Sequence, residues 1–269
     1  QIADTIDKSC EECIQGKMEH PKVAKSRRST LNVIERLSID LNFARINDHN
    51  GSKINIKIID VFSRWIHFAP LLDKTPSSIL RILQPFIARI ERRTEKAVKE
   101  IQLDQGSEFK GVVSEFLQDN GIVKLETDPY DSHFPGPAEN AHKQISASGR
   151  TLLIDSKLPI RFHSLEQQTA VYNWNRSVHA NDSITPHEHI YGYPPDVGHM
   201  HAFGTVCFAF QSKHYRDAKH KRGNTLARRG LRGRLVGYLD AGGAIEMRGY
   251  LILIENEGNE PYLSRTRWV

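Results

Sequence analysis

The chain has too few cysteines for a disulfide framework and no hydrophobic run long enough to span a bilayer. Only three of its 269 residues are cysteine, which favours a reducing compartment over a secreted, disulfide-rich domain. The longest apolar runs, GTVCFAF and GYLILI, fall far short of the roughly 20 residues of a membrane-spanning helix. The first residues lack a basic segment followed by an apolar stretch, so we expect no signal peptide. With 39% hydrophobic and 26% charged residues, the composition is typical of a soluble globular protein.

Positive charge is modest overall but concentrated in one segment. The net charge is +5. Between Lys213 and Arg234, nine lysines and arginines accompany a single acid, Asp217. A second basic cluster, KVAKSRRS, covers residues 22–29. Such runs can follow a phosphate backbone, but they can equally be solvated loops, so charge alone leaves both interpretations open.

Four segments can be separated along the chain, and the second has the pattern of an α/β domain. It starts with three strand-like runs joined by short links, which predict an antiparallel meander. Strands then alternate with helices, which predicts a mixed five-stranded sheet. The first segment is polar and basic, the third is a helical extension, and the fourth has four short strands typical of a small β-barrel. The segments are 1–30, 31–157, 158–202 and 203–269.

Two helices of the second segment have recognisable starts. A helix is predicted to begin at Thr75-Pro76, because proline is favoured in the first turn. Pro85 is expected to kink this helix or to split it in two. A second helix is predicted from about Pro137 to Lys157, after a loop rich in proline and glycine.

Three acids on different elements are the strongest candidates for chemistry. Asp40 lies in the first strand, Asp104 ends the fourth strand, and Glu139 lies in the first turn of a helix. Asp104 alone could be a turn former, since aspartate is common at strand ends. In a mixed five-stranded sheet, however, the middle of the first strand can adjoin the end of the fourth, and the helix can pack on the same face. Three converging acids repel each other unless a cation joins them, and oxygen ligands select Mg²⁺ or Mn²⁺. Two such ions, roughly 4 Å apart, would suit phosphoryl transfer.

The D…D…E set, with 34 residues between Asp104 and Glu139, resembles the catalytic core of retroviral and retrotransposon integrases. The order of the surrounding motifs is similar to that in copia-type (Pseudoviridae) LTR retrotransposon integrases, which are part of a Gag-Pol polyprotein. These motifs are IDLNF, IIDVFSRW, LDQGSEF, NGI, PGPAENAHK, NWNRS and TPHEHIYGYPP. Three further stretches, FGTVCFAF, RGRLVGYL and SRTRWV, resemble the region that follows the core in that family.

This resemblance implies a ribonuclease H-like core that processes the 3′ ends of element DNA and transfers them into target DNA. By the family pattern, Asp40 would bridge two Mg²⁺ or Mn²⁺ ions, and Asp104 and Glu139 would each hold one. Lys143, one helical turn beyond Glu139, could contact a DNA phosphate or could simply face solvent. The implied partners are element-end and target DNA, with a homo-oligomer on that DNA. The implied location is the nucleus, after a cytoplasmic assembly stage.

Two further sets of residues are candidate binding sites. Cys10 and Cys13 resemble the cysteine half of the family's zinc site, although a lone C-x₂-C can also be a redox pair or chance. No histidine precedes Cys10, so zinc binding is expected only in a longer parent protein. Cys207 lies in an apolar run and is predicted to be a core residue. The candidate DNA contacts in the basic tail are Arg228, Arg229, Arg232 and Arg234.

Several positions depart from the family pattern. Asn140 follows Glu139 where a basic residue is usual, and Gln105 stands where asparagine or arginine is typical. The loop before the helix reads PGP where NGV or a similar sequence is usual. None of these changes removes a metal ligand. They leave two hypotheses open, an active integrase and a catalytically decayed or domesticated copy that only binds DNA.

Overall fold

Five strands form one mixed sheet, and the first strand lies at its centre. In the computed structural model the described residues are 32–104, 106–126, 137–180, 182–210, 229–239, 249–255 and 260–267, with the backbone alone for 137–140. The strands are β1 (Arg36–Phe43), β2 (Ile54–Asp60), β3 (Ile66–Leu71), β4 (Glu100–Leu103) and β5 (Val123–Glu126). Their order is β3-β2-β1-β4-β5. The first three are antiparallel, whereas β4 pairs parallel to both β1 and β5.

This topology confirms the predicted mixed sheet and is that of a ribonuclease H-like domain. Antiparallel neighbours need only short links, whereas the parallel pairs need crossover connections, which the chain supplies as helices. Helices pack on both faces of the sheet, so its inner strands are largely buried, whereas β5 at the edge is partly exposed. Sheets with parallel strands are typically covered on both faces in this way.

The helices of the structure lie close to the predicted positions. They are α1 (Pro76–Thr94), α2 (Val112–Asp119), α3 (Pro137–Ser156), α4 (His163–Asn175) and α5 (Pro186–Tyr191), with 3-10 helices at Ser107–Phe109 and Ile160–Phe162. Thr75 caps α1 by accepting a hydrogen bond from the Ser78 backbone N–H. Among the described helices, none combines the length and the apolar composition that crossing a bilayer needs.

Pro85 does not divide α1, which runs as one helix through the proline. Of the two outcomes expected, a kink or a split, the split is therefore excluded. The residues on either side, Leu83, Phe86 and Ile87, are buried in the core beneath the sheet. Their burial stabilises the helix on both sides of the proline, and this offsets the hydrogen bond that proline cannot donate.

The two faces of the sheet contact different helices. Ile39, Ile58 and Leu103 belong to the larger cluster, which is formed with α1 and α2. Ile59 and Phe68 point to the other face and pack with residues of α3 and α4. Because side chains alternate along a strand, the residues next to those of the first cluster must face α3 and α4. This second face is the one on which the candidate acids lie.

The C-terminal strands form an open sheet instead of the predicted barrel. They are β6 (Val206–Phe210), β7 (Gly230–Tyr238), β8 (Tyr250–Ile254) and β9 (Tyr262–Thr266), all antiparallel in the order β6-β7-β8-β9. Within the described ranges, no ladder pairs β6 with β9 to close it. Tyr172 of α4 packs with Leu235 and Tyr238, while Phe162 packs with Val236 and Leu253. The sheet thus buries its apolar residues against the helical extension, and closure is not needed for that.

Candidate active site

The register of β1 and β4 directs Asp104 towards Asp40. The parallel ladder pairs Arg36 with Glu100 and Ser38 with Gln102, a constant offset of 64 positions. Asp104 directly follows β4, and the same offset, continued two residues beyond the last pair, would place it level with Asp40. Parallel strands lie about 4.8 Å apart, and residues at the same level point to the same face. The fold therefore brings together two acids that are far apart in sequence, on the face covered by α3.

The Asp40 carboxylate is half exposed and already has two partners. The Asn42 side-chain amide donates a hydrogen bond to Asp40 Oδ2 over 3.1 Å. His142 Nδ1, from α3, lies 2.9 Å from the same oxygen. The Asp40 side chain nevertheless keeps 48% of its surface exposed, whereas His142 keeps 15%. Asp40 is accordingly oriented by its neighbours and still open to a ligand from solvent.

Asp104 is exposed at the end of β4, where the chain turns sharply. The Gly106 backbone N–H donates a hydrogen bond to Asp104 Oδ1 over 3.2 Å. A Cβ atom at position 106 would lie only 2.6 Å from Glu108 Cδ. The Glu108 carboxylate occupies this space, and a side chain at position 106 would require it to move. Glu108 therefore lies next to the turn that follows Asp104.

The third predicted acid lies on α3. Glu139 is in the first turn of this helix, but its side chain is outside the described part of the structure. His142 and Lys143 follow three and four positions later, on the same side of a helix. His142 contacts Asp40, so this side of α3 packs over the two strand acids. Lys143 is exposed.

Two buried charged residues lie behind the acids, and the sequence reasoning missed both. Lys57 of β2 is directly opposite Asp40 in the antiparallel ladder and is 1% exposed. Glu166 of α4 is also buried. Burial lowers the pKa of Lys57, and attraction by Asp40 and Glu166 opposes this shift. Burial raises the pKa of Glu166 to about 7, against a hydrogen bond from Gln167 and the attraction of Lys57.

Glu166 also explains a close contact between two helices. A Cβ atom at Gly149 of α3 would overlap Glu166 Oε2 and crowd the Gln167 amide. Glu166 Oε1 accepts a hydrogen bond from Gln167 Nε2 over 3.1 Å, while Oε2 is buried without a partner. The only sequence signal for this arrangement was a glycine inside a predicted helix.

The donor set fits a hard divalent cation. Asp40 and Asp104 offer carboxylate oxygens, the ligands that Mg²⁺ and Mn²⁺ prefer. Within the described residues, no three histidine, cysteine, aspartate or glutamate side chains converge as a metal site. Both strand acids belong to the described residues, whereas the side chain of Glu139 does not. The described residues therefore contain two of the three predicted ligands, and both are accessible to solvent.

Sequence comparison gives two relatives that share most of this chain. It is 28% identical over 217 residues to the retrovirus-related Pol polyprotein from transposon TNT 1-94 of Nicotiana tabacum, covering 79% of this chain and 16% of that protein. It is 30% identical over 215 residues to the transposon Ty1-LR3 Gag-Pol polyprotein of Saccharomyces cerevisiae, covering 75% and 12%. The chain is a homologue of Ty1/copia-type retrotransposon Gag-Pol polyproteins. It spans only a small part of their length. No protein-family model matches it.

A comparison of structures extends the likeness of this Gag-Pol homologue to nearly the whole chain. One match is a chain in the cryoEM structure of the simian T-cell lymphotropic virus intasome in complex with PP2A regulatory subunit B56 gamma. The TM-score is 0.55 with 16% identity, covering 97% of this chain and 88% of that one. At this identity the likeness concerns the fold. It agrees with the ribonuclease H-like topology read from the strand order.

The arginines predicted to contact DNA in this Gag-Pol homologue differ in exposure and in their interaction partners. Arg232 Nη1 and Arg234 Nε each lie 2.7 Å from an oxygen of Glu255, and Arg234 also donates to the Ser156 carbonyl. Arg229 is exposed. Arg234 therefore has a structural role in joining β7 to β8 and α3, whether or not it also contacts DNA.

Four other residues were singled out from the sequence. Cys10, Cys13 and Arg228 lie outside the described residues, so their roles stay predictions. Cys207 is a buried free thiol whose pKa is raised by burial. Its prediction as a core residue is confirmed.

Proposed function

We propose that this chain is the catalytic core and C-terminal region of a retrotransposon integrase. Its reactions would be trimming of the 3′ ends of element DNA and transfer of those ends into target DNA. The observation that supports this most directly is the parallel register of β1 and β4, which runs towards Asp40 and Asp104, together with the contact of His142 from α3 with Asp40. Homology to retrotransposon Gag-Pol polyproteins agrees with it.

The proposed ligands are Asp40, Asp104 and Glu139. Bound Mg²⁺ or Mn²⁺ would activate the attacking oxygen and stabilise the leaving oxygen of an in-line displacement. Asp40 lies on the central strand and is proposed to bridge two ions, with Asp104 and Glu139 each holding one. His142 and Asn42 orient Asp40 through one oxygen, Oδ2. The other oxygen, Oδ1, has no hydrogen bond from any described residue.

The proposed partners are element-end DNA and target DNA. Lys143 and Arg229 are both exposed, and we propose that they contact phosphates together with Arg228 and the exposed part of Arg232. Because the fold matches a chain of a viral intasome, we propose that this protein also works as a homo-oligomer on DNA. The proposed location is the nucleus, after assembly in the cytoplasm. Zinc binding by Cys10 and Cys13 is proposed for the longer parent polyprotein.

One contact favours the alternative, a decayed copy that binds DNA without catalysis. The ring nitrogen of His142 lies 2.9 Å from Asp40 Oδ2, an oxygen that a metal ion would otherwise use. In the decayed copy this contact would keep Oδ2 from metal and leave Asp40 only Oδ1 as a ligand. The alternative therefore predicts DNA binding without strand transfer.

Strand transfer with Mn²⁺ separates the two hypotheses. Wild-type protein would be incubated with element-end oligonucleotides and a supercoiled target plasmid, and joined products would be counted by gel electrophoresis and sequencing. We expect joining by wild type and none above background by Asp104→Asn, because that change removes one anionic ligand.

The matched control is Asp119→Asn, an exposed aspartate at the end of α2. This change alters charge by the same amount away from the site, and we expect wild-type joining. Equal background for wild type and Asp104→Asn, with retained DNA binding, would refute the enzyme and support the decayed copy.

A further inference from the structure

Lys57 is the one lysine or arginine that is buried in the described part of the chain. It lies in the middle of β2, in the run INIKIID, with Asp40 opposite it on β1 and Phe68 opposite it on β3. The surrounding residues on this face, such as Ile59 and Phe68, are apolar and packed beneath α3 and α4. An apolar residue at position 57 would therefore suit the packing better than a cation.

Burial of an ammonium group is costly unless nearby charges compensate for it. Two carboxylates attract Lys57, Asp40 on the neighbouring strand and Glu166 on α4. Glu166 is itself buried, with Oε2 unpartnered. Lys57 is thus attracted both by an internal acid and by the acid at the centre of the candidate site.

The effect of this charge reaches the site through Asp40. The register of β1 and β4 directs Asp104 towards Asp40, so two like charges approach each other on adjacent segments and repel. A fixed cation on the other side of Asp40 offsets that repulsion. It also opposes any second cation that approaches Asp40, because like charges repel across a medium of low dielectric constant.

We propose that Lys57 is a positioning residue, an internal counter-ion that holds Asp40 beside Asp104 and weakens the binding of divalent metal at Asp40. This inference rests on the metal site of the proposed function. Glu166, whose pKa is raised to about 7 by burial, is a second carboxylate that attracts Lys57 once it has lost its proton. The pair therefore sets how tightly the site takes up metal, although neither residue touches it.

A double-mutant cycle without metal tests the coupling of Lys57 to Asp40. Lys57→Met, Asp40→Asn and the double variant would be unfolded with urea in the presence of EDTA. We expect Lys57→Met to destabilise the wild-type fold more than it destabilises the fold of Asp40→Asn. The difference should be about tenfold in the unfolding equilibrium constant. Additive effects would overturn the proposal. If Lys57→Met does not fold, Lys57→Gln serves in the same cycle.

Mn²⁺ affinity supplies a readout that a purely structural lysine would not change. By calorimetric titration we expect Lys57→Met to bind Mn²⁺ about tenfold more tightly than wild type, since a nearby positive charge is removed. The control is Lys53→Met, an exposed lysine just before the same strand, with unchanged affinity expected. Equal affinity of wild type and Lys57→Met would overturn the proposal. Absence of Mn²⁺ binding in every variant would instead refute the proposed function, and the cycle in EDTA would still decide whether Lys57 holds Asp40.

Discussion

Two clusters of charged side chains, one in each sheet, are built in opposite ways. In the C-terminal sheet, Arg232 and Arg234 share Glu255 at the surface, so opposite charges meet at 2.7 Å. In the central sheet, Arg36 and Glu100 also form an ion pair between β1 and β4, but further along the same two strands the register directs Asp104 towards Asp40, so like charges approach each other. Behind them a lysine and a glutamate are buried instead of exposed.

This difference separates structural charge from functional charge. Surface pairs such as those of Glu255 contribute modestly to stability and need no further explanation. Clustered acids and buried ionisable groups cost stability, and such arrangements are concentrated at functional sites. The central sheet is therefore the place to look for chemistry, and three substitutions test the contrast.

The largest effect is expected from Glu166→Gln, measured as stability against pH. The pKa of Glu166 rises from its ordinary value of 4.5 to about 7 in the fold. Below pH 4.5 both folded and unfolded chains hold the proton. Between about 4.5 and 7 only the folded chain keeps it, so the free energy of unfolding falls as pH rises, by about 3 kcal/mol.

Glu166→Gln removes this titration, and we expect its stability curve to be flatter across that window. Urea unfolding at pH values from 4 to 8 would measure it. The control is Glu115→Gln, an exposed glutamate on α2, which should follow the wild-type curve. Parallel curves for wild type and Glu166→Gln would show that Glu166 does not keep its proton in the fold.

The sequence predicted the secondary-structure elements better than it predicted which of their residues the fold buries. Alternation in INIKIID indicated a strand, and the order of the elements led to the expectation that Asp104 lies beside Asp40. The same alternation, taken alone, suggests that Lys57 faces water. It is buried because helices cover both faces of the sheet, and no local pattern reports that second layer.

The local sequence pattern also could not predict whether the C-terminal sheet closes into a barrel. Short strands separated by glycines predict an antiparallel sheet, but closure depends on what else can cover its apolar residues. Here Tyr172 and Phe162 of the helical extension cover them. The predicted barrel was wrong because these contacts are distant in sequence and depend on the packing of α4.

An intermediate effect is expected from Glu255→Gln in the C-terminal sheet. The change leaves Arg232 and Arg234 without their common anion, and we expect a loss of about 1 kcal/mol in the free energy of unfolding. Both arginines are partly exposed, so salt should screen the interaction. The urea titration would be repeated in 0.5 M NaCl, about three times physiological ionic strength. The difference in free energy of unfolding between wild type and Glu255→Gln should then be smaller. A loss that persists unchanged in salt would point to packing as the cause.

The smallest effect is expected from Asp104→Asn, the same carboxylate-to-amide change in the central sheet. The asparagine oxygen can still accept the Gly106 N–H, and the repulsion from Asp40 is removed. We therefore expect stability without metal to stay within about 0.5 kcal/mol of wild type or to rise slightly, although strand transfer is lost. Urea unfolding in EDTA beside Glu255→Gln makes the comparison direct. A loss of stability as large as that of Glu255→Gln would mean that Asp104 is held by an opposite charge. The contrast between the two clusters of charge would then fail at the residue on which the proposed chemistry depends.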